Sequence, residues 1–310
     1  MILTSRQRAV PSITWLATHT AMGARDVTNE SGTHRLVKTL AELEMVPMER
    51  YGKLVPGIRW SPLRVDTITR TGCFVVQFDP GSVSVPHEHP AAEEFYVLDG
   101  QLTDHDGYTY RAGEFVSLGP GTRHYSYSEH GARVLVWLTQ ANRQLHSSEE
   151  LSFGSDVAGR GNFSDVANCA PSDVAVGQDR LTRVVNALEF TPFDRYGDEV
   201  AKLFWNPVTF SRETGKGCFV IRFNPGGVST PHEHYGMEEF YVLEGEVIDH
   251  DGTPYKAGDF VSLGPGVKHY SYAPNGVLVL AWLTDTNRPV TDGETLSFGP
   301  DVISKARYRA

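Results

Sequence analysis

The chain has 310 residues, of which 40% are hydrophobic and 21% charged, with a formal net charge of -10 at pH 7. That length holds one large domain or two ordinary ones with real cores, and with no basic run the charge balance argues against a nucleic-acid partner. No apolar stretch approaches a membrane span, and three cysteines, Cys73, Cys169 and Cys218, are too sparse and odd a set for a disulfide framework, so a reducing, cytoplasmic setting is expected.

In chain order, residues 1–34 read as an N-terminal arm. Arg6 and Arg8 precede a mildly apolar stretch from Val10 to Ala21, but Thr14, Thr18, His19 and Thr20 interrupt it, which predicts an ordered arm rather than a signal peptide. A weak helical period runs from Leu36 to Leu43. After it come short runs rich in Val, Phe, Tyr and Leu, each closed by turn residues. Cys73 to Phe78 ends at Asp79-Pro80-Gly81, and Glu94 to Leu98 at Asp99-Gly100. Asp106-Gly107 is a hairpin signal. Phe115 to Leu118 ends at Gly119-Pro120-Gly121, and Val134 to Leu138 closes the set. The fold class is all-β, a sandwich or barrel.

The pattern then returns. Gly72-Cys73-Phe74-Val75 reappears as Gly217-Cys218-Phe219-Val220, an offset of 145, and the same offset joins Arg35 to Arg180, Tyr51 to Tyr196, Trp137 to Trp282 and Ser152-Phe153-Gly154 to Ser297-Phe298-Gly299. Two copies of so long a period mean a duplicated domain and not a solenoid. The first unit spans 35–157 and the second 180–310. Residues 158–179, with Gly, Ser, Asn, Asp and Pro171, form the linker.

One constellation in each unit carries chemistry. Gly81 leads to His87-Glu88-His89, then Glu93 and Gly100; downstream, Gly119-Pro120-Gly121 leads to His124. The second unit repeats this with His232, His234, Glu238 and His269. Residues i and i+2 of a strand share a face, so His87 and His89 aim two imidazoles into one space. Glu93 opens the next strand, with Glu94 pointing the other way, and His124 arrives after a glycine-rich turn. A lone His-x-His is more often an ordinary surface or core pair than a ligand set. A spaced Glu and a third His, twice over, reverse that balance. Three imidazoles and one carboxylate suit a divalent metal: Fe(II), Mn(II), Ni(II), Co(II) or Zn(II).

These spacings resemble the two motifs of the cupin superfamily, and the resemblance covers both units. It implies two tandem cupin (double-stranded β-helix, jelly-roll) barrels whose metal ligands are His87, His89, Glu93 and His124 in one, and His232, His234, Glu238 and His269 in the other. Two positions depart from the motif: Gly119 and Gly264 stand where cupins have proline, and Ser128 and Ala273 replace the closing Asn. The strings Glu-Glu-Phe-Tyr-Val-Leu and Asp-His-Asp-Gly are similar to a narrower group containing ChrR-type anti-sigma factors and the dioxygenases of acetylacetone and 2,4'-dihydroxyacetophenone. That likeness implies an Fe(II)-dependent dioxygenase cleaving a C–C bond in a small β-diketone-like or hydroxyaryl ketone substrate with O2, Glu93 or Glu238 serving also as catalytic base; the wider cupin resemblance implies a homodimer paired through edge strands. Two alternatives stay open: a non-redox metal enzyme (decarboxylase, isomerase, lyase or hydrolase), and a zinc-binding sensor without turnover.

The neighbours of the motifs give further expectations. Arg222, where the first unit has Gln77, is a candidate clamp for a substrate carboxylate or enolate, against an outward, solvated arginine. Tyr235 and Met237 replace Pro90 and Ala92, so the two pockets are expected to differ, with Gln77, Arg222 and Tyr235 as substrate contacts. His124 shares its strand face with Ser126 and Ser128, and His269 with Ser271 and Ala273. His105 and His250, in Asp-His-Asp-Gly turns, read as exposed hairpin residues. Trp60, Trp137, Trp205 and Trp282 read as core or interface, and Cys73 and Cys218 as small buried apolar residues.

Overall fold

The computed structural model describes residues 25–28, 34–66, 68–163 and 172–305. Most of the N-terminal arm, Cys169 and Pro171 lie outside them. Apart from two single-turn 3-10 helices, Leu40–Glu42 and Val185–Ala187, every regular element among the described residues is a strand, and all pairings are antiparallel. Among the described residues, no helix is long and apolar enough to cross a membrane.

The first unit is built on a sheet running Glu114–Leu118, Glu93–Asp104, Ala132–Leu138, Thr71–Phe78, Lys53–Asp66 and Val46–Arg50. The second repeats it with Asp259–Leu263, Glu238–Asp249, Val277–Leu283, Gly217–Phe223, Leu203–Asn206 and Thr191–Pro192. A small three-stranded sheet accompanies each: Arg123–His124, His87–Glu88 and Arg143–Gln144 in one, Lys268–His269, His232–His234 and Asn287–Pro289 in the other.

The near-continuous hydrophobic runs follow from burial on both faces of the large sheets. Phe74, Val76 and Phe78 point into the first barrel with Phe95, Val97 and Val134. The alternate residues Cys73 and Val75, with Leu135 and Trp137, pack instead against Cys218, Val220, Leu280 and Trp282 of the second unit. The two barrels therefore share a core. Trp137 and Trp282 stack with centroids 3.1 Å apart and planes 16° apart. Trp282 Nε1 donates to Glu94 at 2.7 Å, and Arg64 pairs with Glu239. Trp60 and Trp205 pack in the individual barrels.

Gly100 and Gly245 show why the motif needs glycine. Both have positive φ (71° and 77°), and a Cβ would lie 2.1 Å from the Gly131 carbonyl oxygen or 2.3 Å from that of Gly276. Both stand beside a register shift against the neighbouring strand, between Arg133 and Val134 in the first unit and between Val242 and Glu244 in the second.

Two sequence expectations change. The weak helical period from Leu36 to Leu43 resolves into a strand, His34–Thr39, followed by the first 3-10 turn. Sheet pairing overrides so weak a local signal. The unit boundaries also gain a crossing: His34–Thr39, which opens the first repeat, pairs with Asp259–Leu263 of the second barrel, while Arg180–Val184, which opens the second repeat, pairs with Glu114–Leu118 of the first. The two repeats exchange their leading strands. Residues 172–179 of the linker lie along the first barrel, with Gly121 O accepting from Gly177 N and Asp179 O from Gly119 N.

Candidate metal centres

The two predicted quartets assemble. In each, one donor atom per residue lies within 4.8 Å of all the others. Strand pairing does this work: His87 sits opposite His124, and His232 opposite His269, while Glu93 and Glu238 open the long strands. His89 Nε2 stands 2.9 Å from His124 Nε2, and His234 Nε2 3.1 Å from His269 Nε2. Facing imidazole nitrogens this close and this buried have room for one proton or one cation between them.

The other ring nitrogens are tied down. His87 Nδ1 donates to Val85 O at 2.7 Å, and His232 Nδ1 to Thr230 O at 2.8 Å. His87 Nε2 is buried with no partner and turns into the quartet. An orphaned acceptor among three other donors is what a cation would satisfy, so the residues fit a divalent metal.

Behind His124 and His269 stand two carboxylates to which the motif reading assigned no role. Asp104 Oδ1 accepts from His124 Nδ1 at 3.0 Å and from Ser126 Oγ at 2.6 Å, and its Oδ2 from Tyr110 at 2.6 Å. Asp249 holds His269 Nδ1 at 3.2 Å, with Tyr255 and His250 as further donors. Each carboxylate also receives an arginine on the exchanged strand. Arg180 reaches Asp104 at 3.0 Å and Asp106 at 2.8 Å; Arg35 reaches Asp249 at 3.3 Å and Asp251 at 3.1 Å. Their guanidinium groups lie over Phe153 and Phe298, both held at positive φ. That accounts for the repeated Ser-Phe-Gly string.

The electrostatics divide the histidines. Burial holds His87, His89, His232 and His234 below the ordinary imidazole value, and neighbouring rings add to this. Burial works against His124 and His269 too, but the charge and hydrogen bond of Asp104 and Asp249 outweigh it and raise both. The two carboxylates are lowered in turn despite their burial.

The asparagine support also differs between the sites. Asn142 accepts from His89 Nδ1 at 3.1 Å and donates to Glu93 at 3.2 Å. Its counterpart Asn287 donates to Glu238 at 3.4 Å, while Asn287 Oδ1 and His234 Nδ1 are both buried without partners.

His87, Glu93 and His124 line one cavity, and His232, Glu238 and His269 another, each about 70 Å³ with mostly aliphatic and phenylalanine walls. Ser126 and Ser271 line them as the strand parity predicts; Ser128 is buried elsewhere, on Gln101 O. The three expected substrate contacts are not there. Arg222 is exposed, its guanidinium 4.2 Å from the Phe190 ring, because Ile221 and Phe223 take the inward positions. Gln77, between inward Val76 and Phe78, lies in an outer groove with Asp79 and Asp99. Tyr235 is 52% exposed. Instead, Arg50 and Tyr51 line the first cavity, and Arg195 and Tyr196 the second. His105 and His250 are also corrected: the turns form, but both rings are fully buried and hydrogen-bonded to Ser152 O and Ser297 O.

The sequence profile of the ChrR cupin-like domain matches the chain twice, over residues 36–142 and 181–284. The chain belongs to the ChrR cupin-like family. It is a bicupin, with one candidate site for a divalent metal in each barrel. No curated protein matches it. Among solved structures it is similar to a provisionally named dioxygenase from Nostoc punctiforme (12% identity, 86% of this chain and 87% of that one, TM-score 0.57). It is also similar to a provisionally named glyoxylate-induced protein from Pseudomonas aeruginosa (17% identity, 91% and 98%, TM-score 0.54). At such identities the likeness shows the cupin fold alone.

Proposed function

We propose that this bicupin is a mononuclear metal-dependent dioxygenase, cleaving a C–C bond beside the carbonyls of a small β-diketone-like substrate with Fe(II) and O2. The observation that supports it is that three of the four ligands at each site also line an apolar cavity, so a substrate there would lie against the metal. Structural zinc sites close around four protein ligands; catalytic ones keep a side open. When bound, the metal would supply Lewis-acid polarisation of a carbonyl and, as Fe(II), the electrons for O2 chemistry.

The chain's own residues do the rest. Val85, Asp104 and Asn142 fix the three rings of the first site, and Thr230 and Asp249 two of those in the second. The phenylalanine and aliphatic walls exclude water from the reacting carbons. We assign Glu93 and Glu238, each oriented by an asparagine, the task of taking the proton from the carbon between two carbonyls. We propose a homodimer as well; the strands that end the two large sheets are Arg25–Thr28 and Thr191–Pro192 in one and Arg180–Val184 and Val46–Arg50 in the other.

The test is O2 consumption by the full chain, purified without oxygen and reconstituted with iron, zinc, manganese or nickel, against a diketone panel. Uptake with iron alone supports the proposal. Anaerobic turnover with zinc or manganese would replace it with a non-redox lyase or hydrolase, and tightly held zinc without turnover would replace it with a sensor.

A further inference from the structure

We propose that Arg195 with Tyr196, and Arg50 with Tyr51, form an anion clasp in each barrel, so that the substrate is a small oxo acid whose carboxylate sits on the arginine while its carbonyl end faces the metal quartet. This rests on the reading of the cavities as substrate pockets and narrows their occupant from a neutral diketone to an anion.

Three observations carry it. The first is location: each arginine lines the same small cavity as three metal ligands, within walls that are otherwise largely apolar. Arginine is a costly choice for such a wall unless something answers its charge. The second is the missing partner. Arg195 Nη2 is buried and bonded to nothing, and Arg195 makes no ion pair among the described residues. Its guanidinium lies 5.0 Å from the Phe210 ring centroid and 5.5 Å from that of Tyr196, whose ring in turn lies 6.2 Å from His232. Aromatic faces hold the cation in place while leaving its in-plane N–H groups free, and those groups match a carboxylate bidentately. The third is repetition: Arg50-Tyr51 and Arg195-Tyr196 stand at the offset of 145 that relates the metal ligands themselves.

Charge counting agrees. A divalent metal with one glutamate leaves a single positive charge at each site, and the arginine adds a second. A ligand carrying a carboxylate and an enolisable carbonyl answers both. The cavity of about 70 Å³ leaves space for only a short carbon skeleton between them.

Acetylacetone and 2,4-dioxopentanoate make a matched pair, the same diketone without and with a carboxylate. Their binding to the cobalt-loaded full chain is read from the cobalt visible spectrum and by calorimetry, with no turnover required. The expected result is that 2,4-dioxopentanoate binds at least about tenfold more tightly, the scale of a charge-assisted hydrogen-bonded pair. Arg50→Met combined with Arg195→Met abolishes that preference while acetylacetone affinity and cobalt content hold. Arg195→Lys and Arg50→Lys, which keep the charge but lose the fork, fall between and serve if the methionine variants do not fold. Equal affinity for the two ligands, a preference that survives in the arginine variants, or binding of neither ligand overturns the clasp. Failure of O2 uptake with the preference intact sinks only the dioxygenase reading.

Discussion

The exchanged strands make an unusual prediction about which site a mutation damages. Arg180 belongs to the second repeat by sequence, yet its guanidinium grips Asp104 and Asp106 behind the first metal site; Arg35 belongs to the first repeat and supports the second site. In Arg180→Met a fully buried carboxylate loses a partner that is itself only 12% exposed. Removing one side of a buried ion pair costs about 3–5 kcal/mol. Asp104 keeps three other donors, in His124, Ser126 and Tyr110, so a loss nearer about 2–3 kcal/mol is expected. Because Asp104 orients His124, the first site should also lose affinity, on the scale of about 10–100-fold seen when a partner behind a metal ligand is removed. Zinc competition against a chelator reads each site alone, in a His234→Ala background for the first and a His89→Ala background for the second. Arg180→Met should weaken only the first and Arg35→Met only the second. The opposite assignment, or equal weakening of both sites, would refute the exchange as the route of support.

Further outcomes follow from the same geometry. Since burial keeps His87, His89, His232 and His234 neutral at pH 7 while Asp104 and Asp249 raise His124 and His269, metal binding near about pH 6.5 should expel about one proton per site. Affinity should then rise with pH until those two rings are neutral; calorimetry in buffers of different ionisation enthalpy counts the protons, and two or more per site would contradict the assignment. Metal titration should be biphasic, the first site filling first, because Asn142 ties His89 to Glu93 while Asn287 Oδ1 and His234 Nδ1 stay unpaired; Asn142→Ala should narrow the gap, and a first phase that maps to the second site would be wrong for this reasoning. Trp282→Ala removes half of the stacked pair between the barrels and the donor to half-buried Glu94, and should lower stability by about 3–5 kcal/mol in a denaturant titration. An unchanged midpoint would show that the barrels do not stabilise each other there.

The metal quartets were legible because their signal is local and periodic: i and i+2 on one strand, a turn, then a third histidine, all repeated. The supports behind them were not. Asp104 looks like the end of a solvent-facing hairpin, and the hairpin does form; what buries it is Ser152-Phe153 returning from downstream and Arg180 arriving from the other repeat. Arg222 illustrates the reverse error. Its strand carries Phe219, Ile221 and Phe223 on the inward face, and that alternation already sends the arginine outward. Arg195 could not be oriented in the same way, since it lies in the irregular stretch between Thr191–Pro192 and Leu203–Asn206, where no period exists to assign a face. Repetition was the usable clue: Arg35/Arg180 and Tyr51/Tyr196 already stood out as equivalent positions, and each pair lies within one residue of a group that supports a site or lines a cavity.

The exchange also changes what counts as a domain here. Each repeat carries a full set of metal ligands, but neither carries the arginine that supports its own set. A lone first repeat would hold Arg35 with no Asp249 to meet, and would leave Asp104 and Asp106 facing the space that Arg180 fills. It would also expose the face of Cys73, Val75, Leu135 and Trp137 that now packs against the other barrel. The losses are electrostatic on one side of the unit and hydrophobic on the other, and they fall on both repeats alike. The smallest piece of this chain that satisfies its own buried charges is therefore the pair of barrels.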